Sequence, residues 1–190
     1  SVLDWADLQA VQGPDLTRAL QRLPGVTLTR NGGLGSFTGL SVRGAASERV
    51  LVLIDGVRVN DVGGPAGGFD FGTVVGGGVE RVELLRGPGS LVWGSDALGG
   101  VVHLSSRIAN GLEASGEAGG AGQFAGNLAL GGYLAGLNKA GISASYVTRS
   151  GFSSAATGVE DDGFEQLALS ARGEGDIGPF TLFGSARYAA

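Results

Sequence analysis

The chain contains no cysteine, one histidine and one lysine. Without cysteine there is no disulfide framework, no thiolate metal site and no cysteine nucleophile. A Ser–His–Asp triad would have to use His103, which lies in the strand-like run VVHLSS and reads as a structural residue. A single histidine also rules out HExxH and every other His-pair metal site. The glycine-rich stretch 86–100 has no lysine, so it is not a Walker loop, and Gly32, Gly33, Leu34 and Gly35 lack dinucleotide-binding spacing. No G-x-S-x-G elbow surrounds Ser90 or Ser95. Positive charge is scarce as well: 13 Lys and Arg against 18 Asp and Glu leave a net charge of −5, with no basic stripe to neutralise phosphates. No apolar run approaches the ~18 residues of a transmembrane helix. With only five prolines and no Gly-X-Y period, the chain is neither collagen-like nor a proline-rich linker.

What is abundant is glycine, at 38 of 190 residues, roughly three times the ~7 % average. Hydrophobic residues make up 43 %, too many for a disordered chain. The glycines therefore belong to an ordered fold with many turns and close backbone approaches.

The chain has two halves, 1–107 and 108–190. In the first, Pro14 and Asp15 open a helix whose Leu16, Ala19, Leu20 and Leu23 share one face, and Pro24 and Gly25 stop it. Short strands follow at 26–29, 40–42 and 49–54. The last meets Asp55 and Gly56 and returns through 57–60, a hairpin signature. Strands at 79–85 and 101–105 complete a small sheet, with glycine loops at 61–78 and 86–100. Glu80 and Glu83 flank Arg81 on one strand and read as ion-paired structural residues.

The second half changes to long alternating strands. Phe124, Leu128, Leu130 and Leu134 share a face, as do Ala140, Ile142, Ala144 and Tyr146. Further runs cover 166–172 and 180–188, and a weaker one 112–117. Runs of about ten residues exceed the ~5–6 of soluble strands and match the ~9–11 that cross a bilayer. Tyr133, Tyr146 and Tyr188 fall at or near strand ends, where interface aromatics belong. Connections alternate between short (135–138, 175–178) and long (150–163), as on the two rims of a barrel. A soluble β-sandwich with one wet face shares this alternation. The acidic run Glu160, Asp161, Asp162 in the long loop is either a solvated surface or a set of hard oxygen ligands for calcium.

Several phrases taken together carry a resemblance: LQRLPGV, then SVRGAASERVLVLIDGVRVN, then VERVELLRGPGSLVWGSDALGGVVHL. In order and spacing they resemble the plug domain of TonB-dependent outer-membrane receptors over about residues 14–107, with particular likeness to cobalamin-type transporters. The second half is similar to the first strands of that family's barrel. The resemblance implies an α+β plug domain (1–107) followed by antiparallel transmembrane β-barrel strands (108–190), about five of a 22-stranded plugged barrel. Five strands cannot close and leave a lipid-facing edge, so the chain reads as an N-terminal piece of a longer protein. The family's TonB-binding stretch precedes the plug and is not recognisable in SVLDWADLQAVQG.

The resemblance further implies a non-enzymatic receptor in the outer membrane of a Gram-negative bacterium. It would bind a scarce bulky nutrient (cobalamin, a siderophore or haem) and import it with energy relayed by TonB, ExbB and ExbD. Outer-membrane lipid and lipopolysaccharide are its surroundings, nucleic acid is not a partner, and no cofactor is required, calcium being the one candidate ion. Arg43 and Arg86 would lock plug to barrel-wall glutamates, or else be satisfied within the plug sheet. Asn60, Asp61, Phe69 and Asp70, in the outward loop NDVGGPAGGFD, would touch ligand.

Overall fold

The computed structural model describes residues 1–11, 13, 15–60, 68–87, 89–134, 137–151 and 163–190. The chain divides into two compact units, one formed by 1–76 and 80–105, the other by 77–79 and 106–190.

The first unit opens with β1 (Val2–Leu3) and a five-residue helix α1 (Trp5–Gln9). A capping box starts α1: Asp4 accepts from the Asp7 N–H, and the Asp7 carboxylate accepts from the Asp4 N–H. Then come α2 (Thr17–Leu20), β2 (Val26–Arg30), β3 (Thr38–Val42), β4 (Val50–Ile54) and β5 (Val57–Arg58). The helix read from the sequence is present but short. Its Leu16, Ala19, Leu20 and Leu23 are all buried, so one apolar face decides its placement although it has a single turn of regular helix. Pro14 lies outside the described residues.

After β5, the unit continues with β6 (Val79–Arg86), the four-residue helix α3 (Ser90–Trp93) and β7 (Gly100–Ser106). The five-stranded sheet has the order β1-β6-β7-β4-β5. β2 and β3 stand apart as a two-stranded sheet, where the sequence suggested a single sheet. Alternation shows which face of a strand is buried and says nothing about which strand it pairs with. β4 reads VLVLI without alternation and is buried throughout, because it pairs in parallel with β7 and is covered on both faces. Asp55 and Gly56 turn the chain into β5 with φ of 49° and 82°, both in the left-handed region that a tight type I′ hairpin demands. The core of this unit is built from Leu16, Leu20, Leu40, Leu51, Phe71 and Val82, each at most 2 % exposed.

The second unit is an antiparallel meander of β8 (Gly111–Ala118), β9 (Phe124–Leu134), β10 (Leu137–Arg149), β11 (Phe164–Ile177) and β12 (Phe180–Ala189). The last four are 11, 13, 14 and 10 residues long. β11 runs on to Ile177, so the connection expected at 175–178 shrinks to a turn at Gly178 and Pro179. Register places Leu130, Ile142, Ala171 and Ala186 in one row and Leu128, Ala144, Leu169 and Tyr188 in the next. Leu128, Leu130, Ile142 and Leu182 on this face are about half exposed. On the opposite face the central strands bury small and polar side chains among a few apolar ones: Ser143 and Ser170 share a hydrogen bond of 2.7 Å, and Ser145 donates to Asn127 at 2.8 Å. An apolar face open to the surroundings and a buried face rich in small and polar side chains invert the pattern of a water-soluble sheet.

Candidate functional site

Four polar side chains brace the β2–β3 hairpin. Arg30 Nη2 donates to Asp15 Oδ2 (2.6 Å) and Thr17 Oγ1 (2.8 Å), and its Nε donates to Thr38 Oγ1 (3.0 Å). Thr17 completes the ring by donating to Asp15 Oδ1 at 2.7 Å. The Asp15 side chain is only 9 % exposed, so the arginine compensates a nearly buried charge. Sequence reading missed this network, since its members are spread over 24 positions and only the folded chain collects them.

The proposed ligand loop is anchored at both ends. Asn60 Oδ1 accepts from the Val52 N–H (2.7 Å) and its Nδ2 donates to the Val50 carbonyl (2.9 Å). The amide thus extends the ladder of β4 past the end of β5. At the other end, Asp70 Oδ1 accepts from the N–H groups of Thr38 and Gly72, each at 2.8 Å, and caps the 3₁₀ turn Phe71–Thr73. Both side chains hold backbone in place. Phe69 is different: half-buried, it meets the buried Phe71 edge to face, centroids 5.0 Å apart at 84°. Asp61 lies outside the described residues.

The two arginines singled out as locks converge on one turn. Arg86 donates from Nη1 to the Pro24 carbonyl (3.2 Å) and from Nη2 to Ser1 Oγ (2.8 Å). Arg43 has φ of 51°, and its backbone N–H donates to the Gly25 carbonyl at 2.8 Å. Its side chain is exposed, and among the described residues nothing hydrogen-bonds its guanidinium. The contacts of Arg86 are to neutral acceptors at an exposed position, which leaves its charge uncompensated.

The stretch 86–100 is more ordered than a run of turns. After α3, a 3₁₀ turn at Ser95–Ala97 lowers Ala97 onto Leu51, Leu53 and Val101, and Gly89 N–H donates to the Ala97 carbonyl at 2.9 Å. Arg58 on β5 holds the helix from outside, pairing with Asp96 (2.8 Å) and donating to the Trp93 carbonyl (2.9 Å). Gly100, where β7 begins, has φ of 150°, and a Cβ there would stand 2.5 Å from the Leu85 carbonyl oxygen. Only glycine lets β7 start this close to β6.

His103 stands with Nδ1 3.5 Å from Glu83, and Glu83 also accepts from Arg81 at 2.7 Å. The Arg81 hydrogen bond is the main reason that the Glu83 carboxyl ionises below the ordinary carboxylate range; His103 adds to it and slight burial opposes it. This is the structural ion pairing expected from the sequence. Glu160, Asp161 and Asp162 lie outside the described residues. Among the described residues, no group of three or more acidic or imidazole side chains could hold a metal ion. No helix among them is long and apolar enough to cross a membrane, which says nothing about crossing by strands. The hydrogen-bonded networks described here hold backbone and side chains in place.

Residues 1–101 match the family model of the TonB-dependent Receptor Plug Domain. Among solved structures, the chain is similar to the ferric enterobactin receptor PfeA of Pseudomonas aeruginosa (21 % identity, TM-score 0.70), whose chain it covers to 32 %. It is also similar to the siderophore receptors PirA (20 %, TM-score 0.70) and PiuA (21 %, TM-score 0.74) of Acinetobacter baumannii, of which it covers 31 % and 26 %. All three likenesses take in 100 % of this chain, which therefore spans about a third or less of the length of these receptors. At such identity they establish the fold, a plug domain followed by antiparallel strands. With over half its length matched by the plug model, the chain belongs to the TonB-dependent receptor plug-domain family.

Proposed function

We propose that the whole protein is an outer-membrane receptor that captures a ferric siderophore and imports it with energy relayed by TonB, ExbB and ExbD. The observation that carries this reading is the joining of a plug-family unit to a meander of 10- to 14-residue strands with an apolar open face. Strands of that length and polarity suit outer-membrane lipid and lipopolysaccharide, and further strands would be needed to close a barrel around the plug. The solved neighbours are named as siderophore receptors, and a PfeA mutant was solved in complex with enterobactin. That favours a siderophore as ligand here. Cobalamin is the second reading, supported by the likeness of LVLIDGVR, GSDA and GGVV to cobalamin-type transporters.

In this account Phe69 offers a ring to the ligand, while Asn60 and Asp70 fix the ends of the segment that carries Asp61. Arg43 and Arg86 present guanidinium groups to barrel-wall glutamates, which a planar fork binds in bidentate fashion. Glu160, Asp161 and Asp162 are a candidate calcium site of the outer loops. Titration of the purified full-length receptor with ferric siderophores, cobalamin and haem tests the ligand. Saturable binding of a ferric siderophore is expected. Saturable cobalamin binding alone would favour the second reading, and no binding of any of them would reject both.

A further inference from the structure

One end of the first unit is formed by two segments far apart in sequence. Loop 31–37 joins β2 to β3 and is closed by the Asn31 N–H, which donates to the Phe37 carbonyl at 3.2 Å. Segment 68–73 packs against this loop. The Thr38 N–H donates to the Asp70 carboxylate at 2.8 Å, and Gly72 lies so near the Ser36 carbonyl that a Cβ there would collide with it. Gly68 approaches the turn Ser47–Arg49, where a Cβ would stand 2.8 Å from the Ser47 carbonyl oxygen. Asn31, Gly32 and Gly33 are exposed, and Phe37 and Phe69 are half-buried.

This end of the unit is poor in positive charge. No lysine or arginine occurs at 31–42 or at 59–80. Arg30, at the foot of the loop, is compensated by Asp15 at 2.6 Å and also donates to Thr17 and Thr38. Glu48 and Arg49, both exposed in the turn beside Gly68, offset one another. Among the described residues of these segments, that leaves Asp70 as the one uncancelled charge, and it is negative. The exposed Arg43 and Arg86 meet instead at the Pro24–Gly25 turn, the opposite end of the β2–β3 hairpin. Roughly 16 Å of strand separates the two ends, about twice the Debye length at physiological salt.

Ferric siderophores differ in charge by class. Three hydroxamates, each giving up one proton, neutralise Fe(III); three catecholates, each giving up two, leave a trianion. A trianion needs cations to replace the water it sheds, whereas a neutral chelate is satisfied by rings and hydrogen-bonding groups. We propose that this end of the first unit receives an uncharged chelate of the tris-hydroxamate class and disfavours a trianionic tris-catecholate. The proposal rests on the transport reading above, in which Phe69 offers a ring to the ligand, and it narrows that reading to one substrate class.

Gly33 supplies the test. A Cβ there meets no atom within 4 Å, and its φ lies outside the left-handed region, so a long side chain fits without strain. The probes are ferrichrome, a neutral ferric tris-hydroxamate, and ferric enterobactin, a trianionic tris-catecholate. Both are titrated at low ionic strength into the purified full-length receptor, wild type and Gly33→Arg. The wild type should bind ferrichrome at least about tenfold more tightly than ferric enterobactin. Gly33→Arg should tighten ferric enterobactin binding by about three- to tenfold, an effect that added salt removes, and leave ferrichrome within about twofold. Gly33→Gln, long but uncharged, should change neither. Equal or tighter binding of ferric enterobactin by the wild type would overturn the proposal. So would an arginine variant without the gain, or a glutamine variant that shares it. Binding of neither chelate would instead count against the transport reading itself, so the two failures can be told apart.

Discussion

At the scale of single residues, burial decides which of two similar ion pairs matters. Arg30–Asp15 and Arg58–Asp96 have N···O distances of 2.6 and 2.8 Å, but the acid side chains are 9 % and 39 % exposed. Arg30→Ala leaves Asp15 uncompensated and should cost about 1–3 kcal/mol. Arg58→Ala should cost no more than about 1 kcal/mol. Amide exchange of β2 and β3 in the full-length receptor would register the first change, and equal effects of the two would refute the argument. Gly100→Ala places a methyl group against the Leu85 carbonyl and should destabilise the first unit by about 2 kcal/mol or more, read as faster exchange along β6 and β7. Arg86→Ala is expected to loosen the plug in the whole receptor. Unchanged antibiotic exclusion together with unchanged plug protection would reject the lock. Residues of this kind were only partly legible. Asp55 with Gly56 announces its turn because both positions need left-handed φ, whereas the meeting of Arg43 and Arg86 at Pro24 and Gly25 leaves no local signal.

At the scale of elements, legibility followed length and periodicity. The long strands β9 to β12 alternate over enough residues to declare both their type and their two faces. α1 and α3, with five and four residues, are too short to show a helical period, and β1, with two, shows no period at all. Pairing between distant elements stayed hidden, and so β2 and β3 fell into the wrong sheet. β6 and β7 yield a pH prediction. The folded-state pKa of Glu83 lies below its unfolded value, so its pairing with Arg81 adds stability above the ordinary carboxylate range. That contribution disappears as pH falls through the folded-state pKa, because the unfolded chain takes up the proton first. Glu83→Gln should lower the melting temperature near neutral pH and flatten its decline on the acid side. Parallel curves for variant and wild type would show that the pairing contributes nothing.

At the scale of the whole molecule, the first unit supplies a compact sheet and braced loops, and the second supplies long strands whose apolar face is open. Part of the glycine content that stood out in the sequence is explained by turns such as Asp55 and Gly56 and by the close start of β7 at Gly100. Which ligand the proposed receptor takes was not legible, because composition, periodicity and turn signals report on the fold and carry no signal for a ligand's chemistry. The most direct test of the central claim is uptake of radio-iron from ferric siderophores by cells that lack their own siderophore receptors and carry this receptor at full length. The account expects saturable uptake that stops when TonB is inactivated. Accumulation no greater than in cells without the receptor, or uptake indifferent to TonB, would contradict it.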